Sequence, residues 1–463
     1  MASQEIVFDE ALIRRYDGTG PRYTSYPTAV QFHQAFGEAE YRAAAGRSGA
    51  EGKGAPLSLY VHLPFCATVC FYCACNKIIT KNRSRAAPYL EALHREIELQ
   101  AELFGRERPV EQLHWGGGTP TFVSHDEMRA LMGALRRAFR LREDDAGDYS
   151  IEVDPREIRP GTLELLRELG FNRLSMGVQD FDPAVQRAVN RIQSEEQTLS
   201  VLHAARALGF RSINMDLIYG LPRQTVESFG RTLERVIAAG PDRLSVFNYA
   251  HMPALFKTQR QIKAEELPSP AVKLEILRLT IERLTGAGYV YIGMDHFARP
   301  DDELAQAQRR GTLHRNFQGY STHADCDLVG LGITAIGRIG DTYSQNMKTI
   351  EAYDAALRAG RLPIFRGVAL DADDRLRRRV IMGLICDFAL DRRDVEAEYG
   401  IDFGEYFRTE LGELRTMERD GLIRVTDERL EVLPRGRLLI RNICMVFDRY
   451  LREQRTGAYS RVI

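Results

Sequence analysis

The chain has 463 residues, 44% of them hydrophobic, with 63 Lys and Arg against 64 Asp and Glu for a formal net charge of -1. That length fits one large domain plus a smaller one with a substantial core, and the charge balance leaves no basic excess for nucleic acid. The N-terminal Met-Ala-Ser-Gln-Glu has neither a charged leader nor an apolar core, and no apolar run approaches membrane-spanning length, so the expectation is a cytoplasmic protein that contacts no membrane.

Residues 1–55 read as a polar, irregular N-terminal extension, with turn formers at 16–27 and a linker over Gly49-Ala-Glu-Gly-Lys-Gly54. From there strands and helices alternate. Strands are expected at Leu57–His62, Gln112–Trp115, Ser150–Asp154, Asn172–Gly177, Ser212–Tyr219 and Leu244–Phe247, and helices at about 84–104, 125–140, 160–169, 195–208, 225–239 and 269–287. Such alternation calls for a parallel sheet with right-handed crossovers. Polar residues recur at the strands' C-terminal ends: His62, the glycines after Trp115, Glu152, Gln179, Asp216 and Asn248. That end carries the active site in βα barrels. An open Rossmann-like sheet is the rival, but no G-x-G-x-x-G opens a helix. The expected fold is α/β, an incomplete (β/α)6 TIM-like barrel over 56–365. From about 366 helices at 371–386, 404–419 and 435–450 flank a small hairpin at 421–434, which reads as a mostly helical, winged-helix-like domain.

Four cysteines, Cys66, Cys70, Cys73 and Cys75, fall within ten residues, the first three spaced C-x3-C-x2-C. Three thiolates on one short loop suit three corners of a 4Fe–4S cube, which four cysteines normally hold. The iron left open can then accept a reacting ligand. Zinc knuckles would be split by a longer spacer, and disulfides do not suit a reducing compartment. Cys326, Cys386 and Cys444 stand alone and read as buried core thiols.

The run Gly116-Gly-Gly-Thr-Pro-Thr121 follows a strand, and no Gly-Lys-Ser/Thr makes it a P-loop. It is either a plain turn or a stretch of bare backbone able to bind the amino and carboxylate ends of a methionine moiety. Glu152, Gln179, Arg191 and Asp216 are either satisfied structural groups or a site for ribose hydroxyls and an amino-acid headgroup. Tyr72 would stack on adenine or simply pack.

The cysteine loop closely resembles that of the radical S-adenosylmethionine superfamily. Within it the chain resembles the oxygen-independent coproporphyrinogen III oxidase (coproporphyrinogen dehydrogenase) family from Tyr23-Thr-Ser-Tyr-Pro-Thr28 onward. The resemblance rests on Tyr60-Val-His-Leu-Pro-Phe-Cys66, Cys73-Ala-Cys-Asn-Lys77, His114-Trp-Gly-Gly-Gly-Thr-Pro-Thr121 and Ser150-Ile-Glu-Val-Asp-Pro-Arg156. Met176-Gly-Val-Gln-Asp-Phe181, Asp216-Leu-Ile-Tyr-Gly-Leu-Pro222, Asn248-Tyr-Ala-His-Met-Pro253 and Arg315-Asn-Phe-Gln-Gly-Tyr320 extend it. The related haem chaperones lack the C-x-C ending and fit less well.

That resemblance implies cluster ligation by Cys66, Cys70 and Cys73, but not by Cys75, and two molecules of S-adenosyl-L-methionine. One is implied near Tyr72, Gly118, Thr119, Gln179, Arg191, Asp216 and Ala250. The other is implied near Tyr60, Gly117, Glu152 and Ile336, with Phe317 and Gln318 close by, and of these Tyr60, Glu152, Phe317, Gln318 and Ile336 carry the implied catalytic role. The implied reaction is anaerobic: a 5′-deoxyadenosyl radical removes hydrogen from two propionates of coproporphyrinogen III, which become vinyl groups in protoporphyrinogen IX during haem biosynthesis. An electron donor and an acceptor, both unidentified, are also implied, and a monomer is the default. Arg22 and Lys77 are candidate cations for the substrate's carboxylates. The rival readings are another porphyrin-handling radical enzyme and a haem-binding chaperone.

Overall fold

A computed structural model describes residues 5–50 and 54–453. The expectation of no secretory leader thus falls mainly on Met1–Gln4, outside the described residues, as does Glu51–Lys53 of the expected linker. The chain divides into two compact units, one of residues 31–268 and 325–369, the other built from the N-terminal segment to Val30 with 269–324 and everything from 370 on. These units interleave along the chain, unlike the three consecutive segments (1–55, 56–365, 366–463) drawn from the sequence.

In the unit of 31–268 and 325–369, six parallel strands follow one another in chain order: β1 Leu57–Leu63, β2 Pro109–Gly117, β3 Asp148–Val153, β4 Arg173–Gln179, β5 Ser212–Tyr219 and β6 Arg243–Asn248. Each pairs with the next, and β1 also pairs in parallel with Asp327–Leu331. Three antiparallel strands, Ile336–Ile339, Thr342–Asn346 and Ile364–Ala369, extend the sheet beyond Asp327–Leu331. Six strands in unbroken sequential order have no reversal point, which a doubly wound dinucleotide-binding sheet requires.

The two faces of this sheet differ. Leu59, Val61, Ile151, Leu174, Met176, Ile213, Met215 and Leu244 are at most 2% exposed. They alternate with Tyr60, Ser150, Glu152, Ser175, Asn214 and Asp216, which are only partly buried. Parallel strands covered on both faces read as continuous apolar runs. The alternation here leaves one polar face, which is the face that can hold a ligand. Crossover helices include Ala86–Phe104, His125–Ala138, Glu195–Ala207 and Val226–Ala239. Their starts follow from capping: Ser124 and Thr225 form reciprocal capping boxes, and Ser194 accepts from the Gln197 amide.

At the strands' N-terminal end lies a buried ion pair. Arg108 Nη2 donates to Asp327 Oδ2 at 2.5 Å, both side chains being 4% exposed. Gly340 N–H donates to Asp327 Oδ1 at 2.8 Å, and Ser48 also donates to the carboxylate. Asp327→Ala would strand the arginine, and a broken buried pair costs about 3–5 kcal/mol. Denaturant unfolding should show that loss, and Arg108→Met/Asp327→Leu should regain most of it. A single variant as stable as the parent would contradict the account.

The expectation of an irregular N-terminal extension needs correction, because Glu10–Tyr16 and Glu38–Ala50 are helices. The second, EAEYRAAAGRSGA, has little amphipathic signal but is alanine-rich, and alanine has the highest helix propensity. It anchors through Tyr41, whose buried hydroxyl donates to Gln100 Oε1 at 2.9 Å.

In the other unit, the helices Ala372–Asp387, Arg392–Tyr399 and Arg408–Arg419 accompany a three-stranded antiparallel sheet in which Arg429–Val432 lies between Ala389–Asp391 and Ile423–Val425. The single helix expected over 435–450 is broken into Arg437–Leu439, Ile440–Val446 and Arg449–Glu453. Asp448 falls at a break: Tyr23 Oη donates to it at 2.9 Å, and the Arg449 amide donates to Tyr26 Oη at 3.1 Å. The tyrosine-rich N-terminal segment is thereby tied to the C-terminal helices. No helix among the described residues is long and apolar enough to cross a membrane.

Candidate active site

The cysteine loop leaves β1 at Leu63 and is fastened along its length. Ile78 N–H donates to Pro64 O at 2.7 Å and Thr80 N–H to Cys66 O at 2.9 Å, around a short parallel pairing of Phe65–Cys66 with Ile78–Ile79. Phe71 N–H donates to Val189 O at 3.0 Å and Asn190 Nδ2 to Val69 O at 2.8 Å. Thr258 Oγ1 donates to Cys73 O at 3.1 Å, and Gln259 Nε2 to Tyr72 O at 3.0 Å and Ala250 O at 3.2 Å. Tyr72 packs against the core cluster of Val185, Val189, Leu221, Tyr249 and Ile262.

The glycine run is where this loop meets β2. Gly118 N–H donates to Leu63 O at 2.8 Å, Thr119 N–H to Phe65 O at 2.7 Å, and Gly117 N–H to Glu152 Oε2 at 3.0 Å. These amides are therefore used within the protein, not left bare for a ligand. A Cβ on Gly118 would stand 2.6 Å from the Pro64 carbonyl carbon and 2.7 Å from Phe65 O. Both are backbone atoms that cannot rotate away. Gly118→Ala is expected to displace the cysteine loop and sharply reduce iron loading per folded chain. At Gly116 the nearest atoms belong to the Glu152 and His114 side chains, so Gly116→Ala should be milder. Equal iron content in the two variants would refute this.

Donors converge on the sulfur atoms. Thr119 Oγ1 lies 3.6 Å from Cys66 Sγ, while Arg156 Nη2 and Arg191 Nη1 lie 3.5 and 3.6 Å from Cys70 Sγ. The hydrogen bond from Cys75 and the charge of Lys77, working against burial, bring the Cys73 thiol down to about 6, whereas burial pushes Cys66 up to about 12. No group of three or more His, Cys, Asp or Glu among the described residues is placed to hold a single metal ion. A 4Fe–4S cube needs a different arrangement, with one thiolate at each of several irons. The loop meets that need: Cys66 is close enough to feel the charges of Cys70 and Cys73, and cationic donors face the sulfur of Cys70.

Across the polar face of the sheet, His62 Nε2 lies 3.1 Å from Asn76 O, an acceptor, so that nitrogen carries the proton and Nδ1 accepts from Tyr60 Oη at 3.0 Å. Burial holds His62 below its ordinary pKa, which keeps it neutral. The Tyr60 ring stacks on His114, with centroids 5.8 Å apart, and His114 Nε2 reaches Glu152 Oε1 at 3.4 Å. Asp216 accepts from Asn214 Nδ2 at 2.8 Å and Ser175 Oγ at 3.2 Å, and burial raises it to about 6. It lies within β5, level with Gly177 and Ser245, not at the strand's end as expected.

Gln179 ends β4 with a left-handed backbone, φ 68°, uncommon for a side-chain-bearing residue. Ile336 opens the strand Ile336–Ile339 opposite Gln345. Phe317 and Gln318 belong to the other compact unit, where they form the two-residue turn between His314–Asn316 and Gly319–Ser321. The two candidate substrate cations are otherwise engaged: Lys77 Nζ donates to Cys73 O at 2.8 Å, and Arg22 pairs with Asp295. Sequence reading missed Asp154 and Arg156, although both stand in a stretch it singled out. It also missed Thr258 and Gln259, for which the sequence carries no signal.

The Radical SAM superfamily matches residues 60–236, and the HemN C-terminal domain matches residues 370–439. The cysteine loop and strands β2–β5 thus fall within the radical S-adenosylmethionine match. An oxygen-independent coproporphyrinogen III oxidase from Pseudomonas aeruginosa is 58% identical, the alignment covering 99% of both chains, and one from Escherichia coli K12 is 53% identical over the full length of both. The crystallised coproporphyrinogen III oxidase (HemN) of Escherichia coli superposes with a TM-score of 0.92 at 52% identity, covering 96% of this chain and all of that one. The chain belongs to the oxygen-independent coproporphyrinogen III oxidase family.

Proposed function

We propose that this chain converts two propionate side chains of coproporphyrinogen III to vinyl groups without oxygen, giving protoporphyrinogen IX. Each propionate loses carbon dioxide, one proton and two electrons, so an acceptor must take electrons away. The observation that carries this reading is end-to-end similarity to the oxidases, at 58% identity over 99% of the chain. The sequential parallel order of β1–β6 supports an incomplete (β/α)6 barrel, and the helices and small sheet after residue 370 support a winged-helix-like domain.

Cys66, Cys70 and Cys73 would hold a 4Fe–4S cluster. When bound, it would supply the electron that cleaves S-adenosylmethionine to a 5′-deoxyadenosyl radical. The protein's part is placement and exclusion of competing reactions. Arg156 and Arg191 offset negative charge at Cys70. Gln179, Arg191, Asp216 and the Ala250 backbone, with Tyr72, Gly118 and Thr119, would serve the S-adenosylmethionine at the open iron. The acceptor oxygens of Asp216 suit ribose hydroxyls. Tyr60, Gly117, Glu152 and Ile336 would serve a second S-adenosylmethionine. The test is anaerobic reconstitution with iron and sulfide, followed by assay for carbon dioxide and protoporphyrinogen from coproporphyrinogen III. Ring opening with methyl transfer, or stoichiometric haem binding without carbon dioxide, would overturn the reading.

A further inference from the structure

The hairpin His314–Ser321 carries an arginine that no described residue of its own compact unit neutralises. Arg315 pairs across the hairpin with Tyr320 and is 3% exposed. Its Nε and Nη1 are fully buried and make no hydrogen bond, and no acidic group among the described residues forms an ion pair with it. The Tyr320 ring lies close to it, with its centroid 4.7 Å from the guanidinium carbon. Tyr320 cannot turn to serve it otherwise. Its hydroxyl donates to Ile385 O at 3.0 Å and its ring meets His296 edge-on, centroids 5.3 Å apart. The nearby acid Asp387 feels the charge of Arg379 instead.

Arginine is almost never fully buried without a partner, because removing its charge from water costs more than a tyrosine face returns. Three residues on, the same hairpin holds a second unmet donor, the buried Gln318 Nε2. The Gln318 amide donates to Asn316 Oδ1 at 2.8 Å, which fixes the turn that presents this side chain. Both groups are donors, and no acceptor answers either.

We infer that Arg315 and Gln318 form a carboxylate-binding site that is completed by a ligand. A planar guanidinium with free N–H groups matches a carboxylate in two-pronged geometry, and the Gln318 side-chain amide on the same hairpin is a further donor. The ligand's identity rests on the function proposed above: it is a propionate of the tetrapyrrole or the methionine carboxylate of an S-adenosylmethionine.

The test uses anaerobically reconstituted holoenzyme, wild type against Arg315→Met and Arg315→Lys. Binding of coproporphyrin III is followed by its fluorescence, binding of S-adenosylmethionine by equilibrium dialysis, and stability by melting temperature. Arg315→Met should loosen coproporphyrin III about tenfold or more, leave S-adenosylmethionine unchanged, and melt no lower than wild type, since it removes an unmatched buried charge. Arg315→Lys should fall between. Weakened S-adenosylmethionine with unchanged porphyrin also supports the site and names the other carboxylate as its ligand. Unchanged affinity for both, or an Arg315→Met protein that melts earlier or fails to fold, overturns the inference, because the arginine is then structural. A wild-type protein that does not bind coproporphyrin III at all would instead sink the functional reading, and the S-adenosylmethionine and melting comparisons would still decide Arg315.

Discussion

Replacing Cys66, Cys70 or Cys73 by serine is expected to abolish iron binding, whereas Cys75→Ser retains it. A hydroxyl is a poor substitute for a soft thiolate toward iron. The surroundings of the sulfurs separate the four. Cys66 has the Thr119 hydroxyl at 3.6 Å, and Cys70 has two guanidinium groups within 3.6 Å. The Cys73 thiol is brought down to about 6, with Cys75 as its hydrogen-bond donor. Cys75 remains the protonated partner, since donating to Cys73 pushes its own pKa up. One residue of that pair is thus prepared as an anion and the other is not. Iron and sulfide per chain, measured beside visible absorption on anaerobic preparations, check this. Full iron loss in Cys75→Ser, or full retention in any of the other three, would show that the ligand set is wrongly drawn.

How much of this was legible in the sequence depends on the range of each signal. The six parallel strands were, because β-branched and aliphatic runs alternate with capped helices at local spacing, and even the expected Ser212–Tyr219 strand coincides with β5. The cysteine loop was, because all its sulfurs lie in one short segment. The N-terminal helix Glu38–Ala50 was not, since alanine propensity leaves no apolar stripe to read. The interleaving of the two compact units was not, because tertiary contacts between segments hundreds of residues apart, such as Tyr23 with Asp448, leave no periodic trace. The glycine run stayed open between two readings for a related reason. Glycine permits close approach, but whether the approaching group is a ligand or the protein's own Pro64–Phe65 backbone depends on the fold.

Arg191 shows how the structure sharpens a residue that sequence could only nominate, and Arg191→Lys is the second large effect expected. The side chain is 7% exposed. Its Nη1 donates to Asp154 Oδ2 at 3.1 Å and its Nη2 to Gly177 O at 2.6 Å, while Nε is buried without a partner. Two of its three nitrogens therefore brace the ends of β3 and β4, and the third is the one the proposed S-adenosylmethionine contact would use. Lysine keeps the charge but cannot span these positions at once. One lost charge-assisted hydrogen bond costs about 1.5–3 kcal/mol, roughly ten- to a hundredfold in affinity. Arg191→Lys should therefore weaken S-adenosylmethionine binding by that factor and also lower the melting temperature, with iron content retained because no thiolate is lost. Asp154→Asn separates the two roles. It weakens the same brace from the acidic side, where Arg156 also holds Asp154 at 2.7 Å, but removes nothing from Nε. It should lower the melting temperature while the folded protein keeps its affinity for S-adenosylmethionine. If both variants lose affinity equally, Arg191 acts only by holding the strand ends in place, and its role as a ligand contact is refuted.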